Sequence, residues 1–124
     1  MWWRIPVGVV INVVTFAAVG TLGFIALRLA WPEYAAVERA MTFTTDMMVA
    51  RLTVAAVASL MGAYIAGLTL QNNRIVPLIG GLVLLALFVP VHINLWDKFP
   101  LWYHATFLAS LPFLAFIGGA AVKQ

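Results

Sequence analysis

Four long apolar segments constrain the fold of this chain more than any other feature. They span about residues 5–30, 46–70, 75–95 and 101–122. A bilayer core about 30 Å thick needs about 20 apolar residues in a helix, and each segment is long enough. Each is also apolar on all sides instead of alternating, and so few strands cannot close a barrel. We therefore predict an all-α polytopic transmembrane four-helix bundle that forms a single domain over residues 1–124.

The composition excludes several other classes of protein. Of the side chains, 65% are hydrophobic and only 9% are charged, whereas soluble domains are about half apolar and about a quarter charged. The seven Lys and Arg residues are too few to indicate nucleic-acid binding, so the lipid bilayer is the partner we expect. The chain has no Cys, which excludes a disulfide framework, a thiolate metal site and a Cys nucleophile.

The connections predict the path of the chain. Residues 31–45 form the longest link, in which Tyr34, Val37 and Met41 share one helical face, so we predict a short interfacial helix between spans one and two. Thr44 or Thr45 would then cap the second span. The links at 71–74 and 96–100 are short. Short links favour antiparallel neighbours, which predicts a meander of spans two, three and four.

Small residues in the second span predict close helix packing, because helices in lipid associate through van der Waals contact. Two adjacent ridges at a spacing of four are formed by Ala58, Gly62 and Ala66 and by Ser59, Ala63 and Gly67. One interpretation is packing within the bundle. The other is that a ridge remains for a second copy of the chain or a membrane partner subunit. We expect Asn12, deep in the first span, to hydrogen-bond a neighbouring helix.

The polar residues collect at one end of the predicted bundle, where the first and third connections lie. A candidate polar pocket there consists of Arg28, Asp46, Arg51, His92, Asn94, Asp97 and His104. Three interpretations of the arginines stay open: they reach towards water or headgroups, they form structural ion pairs, or they bind an anionic lipid headgroup or other small anion.

His92 and His104 lie at similar depth, because each is six residues from Lys98 on opposite arms of a helical hairpin. Two imidazoles at one level suit a metal site, with Glu38, Asp46 or Asp97 as oxygen ligands. The alternative is that each histidine bonds the backbone or a neighbour.

The functional hypotheses follow from what the spans lack. Their central parts carry no charged residue, and no hydrolase or phosphate-binding motif is present. We therefore predict no catalytic residue, no metal and no cofactor, and an accessory, scaffold or interaction subunit. The first alternative is a small transporter, channel or anionic-lipid-binding protein that uses the polar pocket. The second is a membrane enzyme or a redox or metal subunit that uses His92 and His104.

Three short patterns resemble those of small four-span bacterial inner-membrane proteins of unknown function: residues 62–67 (GAYIAG), residues 100–104 (PLWYH), and Gly118 with Gly119. The resemblance covers the last two-thirds of the chain. It implies an inner-membrane location and supplies no catalytic residue. The Lys and Arg residues outside the spans slightly favour the end that holds both termini, so we expect both termini in the cytoplasm.

Overall fold

The computed structural model describes residues 3–69 and 75–121, which form four long helices and two short ones. In chain order these are α1 (Arg4–Ala30), α2 (Pro32–Glu38), α3 (Thr45–Thr69), α4 (Ile75–Asn94), a 3₁₀ turn (Trp96–Lys98) and α5 (Leu101–Ala120). The four long helices are each long and apolar enough to cross a membrane. The predicted fold class is confirmed: the chain is an all-α, multi-pass membrane protein.

Local sequence explains where the helices begin. The hydroxyl of Thr44 accepts a hydrogen bond of 3.3 Å from the backbone N–H of Met47, so Thr44 caps α3. Pro32 occupies the first turn of α2, where its missing N–H has no cost. Pro100 is extended, with φ −70° and ψ 160°, and directly precedes α5.

The outer surface of the bundle is apolar. Large side chains such as Leu29 (81% exposed), Leu22 (67%) and Phe113 (64%) point away from the other helices. In water such a surface would aggregate, whereas in lipid it contacts acyl chains at no cost. The exposed surface therefore agrees with the membrane-spanning assignment made from helix length.

The order of the helices around the bundle differs from the predicted meander. Helix α1 packs mainly against α3 and α4, and α5 also packs mainly against α3 and α4. Helices α3 and α4 therefore lie across a diagonal, although only a short link separates them. The meander prediction was wrong because a short link limits the distance between helix ends without choosing which faces pack. The predicted turn at 71–74, and the ends of the second and fourth spans at Leu70 and Val122, lie outside the described residues.

Asn12 of α1 lies where three helices meet. It is fully buried, and its Nδ2 donates a hydrogen bond of 3.2 Å to the carbonyl of Pro77 in α4. A Cβ added to Gly62 of α3 or to Gly80 of α4 would collide with the Asn12 side chain. The two glycines therefore make the space that lets α3 and α4 approach the same side chain.

The two small-residue ridges of α3 both pack inside the bundle. All six residues, Ala58, Ser59, Gly62, Ala63, Ala66 and Gly67, are buried. One ridge meets α1, since Gly62 faces Asn12. The other meets α5, since a Cβ on Gly118 would lie 2.9 Å from that of Ala63 and 2.8 Å from the carbonyl oxygen of Leu60. Of the two interpretations of the ridges, packing within the bundle agrees with these contacts.

A stack of five aromatic rings closes the end of the bundle that holds the acidic residues. Successive ring centroids are 6.2, 5.2, 5.7 and 4.2 Å apart, along the series Trp31, Tyr34, Phe43, Phe99 and Tyr103. Tyr34 of α2 is fully buried, so α2 docks onto the bundle instead of only lying in the interface. Tyrosines near the ends of membrane spans often lie at the membrane surface, but the structure buries both Tyr34 and Tyr103.

Candidate functional site

Arg51 occupies the centre of this closed end, beside the aromatic stack. It lies in the second turn of α3, and its guanidinium donates to two tyrosine hydroxyls: Nη1 to Tyr34 at 2.7 Å and Nε to Tyr103 at 3.2 Å. These hydroxyls come from α2 and α5, so Arg51 connects three helices. Both hydroxyls accept a hydrogen bond from the guanidinium.

Three phenyl rings surround the same guanidinium. Its central carbon lies 4.8 Å from the ring centroid of Phe24, 4.7 Å from that of Phe43 and 5.7 Å from that of Phe99. Each distance is within the about 6 Å at which a cation is attracted to the ring face. The rings and hydroxyls stabilise the charge of this half-buried side chain.

Arg51 forms no ion pair with the carboxylates of this chain. All four acidic residues lie in the described ranges. The ion pair observed there joins Arg28 and Glu38, with 2.5 Å between Nε of Arg28 and Oε1 of Glu38. Glu33, Asp46 and Asp97 are exposed. A buried cation normally has an anionic partner. The charge of Arg51 is therefore balanced only by dipoles and ring faces, which leaves it able to attract an external anion.

Tyr34 interacts with two charged side chains, those of Arg51 and Glu38. Burial raises the pKa of its hydroxyl above the usual value, and this effect outweighs the lowering by the neighbouring Arg51. Glu38, which also interacts with the hydroxyl, raises the pKa further. Tyr34 therefore stays protonated at neutral pH, and its hydroxyl accepts from Arg51 while keeping a proton to donate.

Three spaces adjoin Phe24, and two of them also adjoin Arg51. The interfacial basin, about 530 Å³, is polar and is lined by Phe24, Arg28, Ala35, Glu38, Arg39 and Arg51. The inner cavity, about 100 Å³, lies within the bundle and is lined largely by aromatic rings together with Arg51, His92 and Tyr103. The lateral cleft, about 410 Å³, lies between α1 and α4 and is lined by apolar residues and Thr21. Phe24 borders all three spaces, and Arg51 lies between the basin and the inner cavity.

His92 and His104 form a hydrogen-bonded pair behind the inner cavity. Their Nδ1 atoms are 2.6 Å apart, and the ring planes lie at 81°. His104 Nε2 is 3.3 Å from the carbonyl oxygen of Trp96, which only accepts, so this nitrogen carries a proton. In the neutral pair, His104 Nδ1 is then an acceptor and His92 Nδ1 is its donor. His92 Nε2 is consequently left as an unprotonated acceptor.

This geometry fits a hydrogen bond better than a shared metal ion. Two imidazole nitrogens on one tetrahedral zinc lie about 3.3 Å apart, given zinc–nitrogen bonds of about 2.0–2.1 Å, and the observed 2.6 Å is shorter. Within residues 3–69 and 75–121, no three His, Asp or Glu side chains come together as a metal site would require. The interpretation in which each histidine bonds a neighbour agrees with the structure.

The structure divides the predicted polar pocket into separate parts. Arg51 and His92 meet in the inner cavity, Arg28 joins Arg51 in the basin, and His104 is buried behind His92. The remaining three residues, Asp46, Asn94 and Asp97, are exposed and line none of the three spaces. The pocket prediction was wrong for these three because position along the membrane normal does not determine which side of a helix a residue occupies.

Sequence reasoning missed the hydroxyls and rings around Arg51. A signal for Tyr103 was present, since Tyr103, Phe107, Leu111 and Ala115 repeat at a spacing of four and are all buried in α5. Tyr34 had a comparable signal, because it shares one helical face with Val37 and Met41. Nothing in the sequence indicated that Phe24 lies beside Arg51, because the two helices meet only in the folded bundle.

No protein family, curated protein or solved structure matches this chain. The function has to be inferred from the site itself. Its parts are a cation without a carboxylate partner, a polar basin at the membrane surface, and an apolar cleft that is open towards lipid.

Proposed function

We propose that this protein binds an anionic membrane amphiphile, with the charged head at Arg51 and the hydrocarbon chain in the lateral cleft. The single observation that carries this proposal is the position of Arg51, a half-buried cation without a carboxylate partner that lines both the polar basin and the inner cavity beside the apolar cleft. An anionic head supplies the missing charge, and the bilayer supplies such amphiphiles at high local concentration.

The length of the lateral cleft supports this assignment. On α1 the cleft extends from Val13 to Phe24, which corresponds to about 16 Å at a rise of 1.5 Å per residue. One leaflet of a hydrocarbon core about 30 Å thick has a depth of about 15 Å. The cleft therefore suits a chain that enters from one leaflet, with its head near Phe24 and Arg51.

The charge of the basin also supports an anionic ligand. Three arginines, Arg28, Arg39 and Arg51, line the basin together with one carboxylate, that of Glu38. The basin therefore carries a net positive charge after the Arg28–Glu38 pair is formed. Positive groups at the membrane surface attract anionic lipids.

The scaffold hypothesis stays a prediction, but it has lost the feature that motivated it. Both ridges of α3 are buried against α1 and α5. Neither ridge remains on the surface for a second copy or a partner subunit. A site built around Arg51 is the more specific feature of this fold.

Native mass spectrometry of the full chain, released from mild detergent, tests the proposal. We expect an anionic lipid adduct on the wild type that Arg51→Gln weakens by about ten- to a hundredfold, the equivalent of a charged hydrogen bond. Arg4→Gln is the matched control, since it removes the same charge at the opposite end of α1. Equal lipid retention by the two variants would contradict the proposal.

A second variant tests the cleft without changing a charge. A Cβ on Gly20 would meet nothing within 4 Å, and Gly20 lines both the cleft and the inner cavity, so the side chain of Gly20→Leu would occupy this space. We expect this variant to fold normally and to lose the lipid adduct. Retention of the lipid by folded Gly20→Leu protein would place the chain somewhere other than the cleft.

For the location of the protein, we propose the bacterial inner membrane with both termini in the cytoplasm. The resemblance of the three short patterns supports the inner-membrane location, and the slight bias of Lys and Arg supports the orientation. Because the chain has no native Cys, Gln124→Cys provides a single site for a membrane-impermeant maleimide. Labelling of intact cells at this position would contradict the proposed orientation.

A further inference from the structure

The interfacial basin adjoins the lateral cleft at the end of α1. Gly20 lines the cleft, Arg28 lines the basin, and Phe24 lines both. These three residues are spaced by four along α1, so they lie on one face of the helix, and Arg28 is about 6 Å beyond Phe24 along its axis. A molecule whose chain lies in the cleft therefore reaches the basin with its head.

The basin is lined by more positive than negative charge. Its charged side chains are those of Arg28, Arg39, Arg51 and Glu38. Arg28 and Glu38 form an ion pair and so neutralise each other. All four acidic residues of the chain lie in the described ranges, and within these ranges neither Arg39 nor Arg51 forms an ion pair with any of them. The basin therefore has two positive charges without a carboxylate partner.

The two unpaired arginines belong to different parts of the fold. Arg51 lies in the second turn of α3 and is half-buried, and its guanidinium is held by the hydroxyls of Tyr34 and Tyr103. Arg39 directly follows α2 and is exposed. The basin thus combines one cation that the fold holds in place with a second cation on the side that is open to water.

A head group that balances both cations needs two negative charges. A carboxylate carries a single negative charge, and so does a phosphate diester, the usual link in a phospholipid head. A phosphate monoester carries about 1.5 to 2 negative charges at neutral pH, together with strong acceptor oxygens. Guanidinium groups bind such oxygens through paired, charge-assisted hydrogen bonds. A terminal phosphate therefore matches the charge of the basin better than a diester or a carboxylate does.

We propose that the amphiphile is a lipid that ends in a phosphate monoester, with the phosphate in the basin between Arg39 and Arg51 and the chain in the lateral cleft. This inference rests on the proposed function and names the class of head group. Arg51 supplies the charge that any anionic head would meet. Arg39 supplies a second charge that only a doubly charged head uses, so Arg39 is the residue that distinguishes a monoester from a diester.

The test compares dioleoyl phosphatidic acid with dioleoyl phosphatidylglycerol, which has the same chains and a diester head. Binding to the full chain in mild detergent is measured by native mass spectrometry at about pH 8, above the second pKa of a phosphate monoester, which is about 6. We expect phosphatidic acid to bind at least about fivefold more tightly, the equivalent of one further charge contact at a membrane surface. Equal affinity for the two lipids overturns the inference.

Arg39→Gln removes the second charge. Because Arg39 is exposed, its replacement should leave the fold intact. We expect the variant to lose about fivefold in affinity for phosphatidic acid and little for phosphatidylglycerol. Lys98→Gln is the matched control, since Lys98 is an exposed cation at the same end of the bundle and lines none of the three spaces. An equal loss in the two variants would reveal a general effect of surface charge and overturn the inference.

Glu38→Gln provides a gain in binding that misfolding cannot imitate. It removes the carboxylate from the lining of the basin and leaves Arg28 without its partner. We expect phosphatidic acid to bind this variant about fivefold more tightly than the wild type. Unchanged or weaker binding would mean that the phosphate lies outside the basin.

Glycerol 3-phosphate distinguishes a lipid from a free phosphate ester, because it carries the same terminal phosphate without hydrocarbon chains. We expect no binding of this probe at concentrations that saturate the chain with phosphatidic acid, and equal binding would overturn the inference. If both lipids bind equally and Arg51→Gln weakens both, the inference fails and the proposed function stands. If neither lipid binds, both fail.

Discussion

Alanine at Gly20 and at Gly62 should have opposite effects on the stability of the bundle. Both glycines are buried in long helices, so the gain in helix propensity is similar at the two positions. Their surroundings differ. A Cβ at Gly20 meets nothing within 4 Å, whereas a Cβ at Gly62 would lie 2.5 Å from Oδ1 and 2.8 Å from the backbone carbonyl oxygen of Asn12.

The size of the expected difference in stability follows from these contacts. Exchanging Gly for Ala inside a helix gains up to about 1 kcal/mol. At Gly62 the same gain is opposed by overpacking, which costs about 1–3 kcal/mol. Relief is restricted because Asn12 is fully buried and one of the colliding atoms belongs to the backbone. Since the propensity gain cancels in the comparison, we expect Gly20→Ala to be about 1–3 kcal/mol more stable than Gly62→Ala.

Reversible unfolding in mixed micelles, followed by circular dichroism, measures this difference. Gly118→Ala provides a second crowded position, because its Cβ would lie 2.8 Å from the carbonyl oxygen of Leu60. We expect it to resemble Gly62→Ala. Equal stability of the Gly20 and Gly62 variants would refute the view that close backbone approach holds α1 against α3.

Three further predictions concern the polar end of the bundle. Tyr103→Phe removes the hydroxyl that accepts from Arg51 Nε, and we expect a loss of about 1 kcal/mol of unfolding free energy; an unchanged midpoint of denaturation would contradict this role. Replacing Arg28 or Glu38 by Gln should cost less than about 1 kcal/mol, because their ion pair is partly exposed, with side chains 49% and 24% accessible, and a larger loss in thermal unfolding would show that the pair is structural. The raised pKa of Tyr34 contributes stability that is fully present below the usual tyrosine value of 10.0 and is lost as pH rises through the folded-state value. Stability should therefore decline in alkali, and Tyr34→Phe should remove that part of the decline; an identical pH profile in the variant would exclude Tyr34 as its source.

The helices were predictable from the sequence because hydropathy and helix length act locally, whereas their order around the bundle was not. The four spans, the short helix between the first two and the cap at Thr44 all follow from neighbouring residues. The arrangement around Arg51 was only partly predictable. The prediction that His92 and His104 lie at similar depth agrees with their hydrogen bond, because they lie on the two adjacent arms of one hairpin. The same argument from depth placed Asp46 and Asp97 in the polar pocket, whereas the structure places them on the outer side of the bundle.

The remaining errors have a common physical cause. The surroundings of Arg51 were not predicted: tyrosines near span ends often lie at the membrane surface, yet the rings of Tyr34 and Tyr103 continue the stack that covers Arg51. Which rings and hydroxyls surround a cation depends on the rotation of each helix about its axis. That rotation is set by contacts such as Asn12 between Gly62 and Gly80, and such contacts join residues far apart in the sequence.

The diagonal placement of α3 and α4 has a consequence for biosynthesis. Helix α5 leaves the ribosome after the other three long helices, and it is the neighbour that covers one ridge of α3 and one face of α4. Until then, a nascent chain that holds three spans exposes Ala63 and Gly81 to lipid or to other proteins. The interior is therefore closed only after α5 has been made, and a chain truncated before residue 100 leaves these faces of α3 and α4 uncovered.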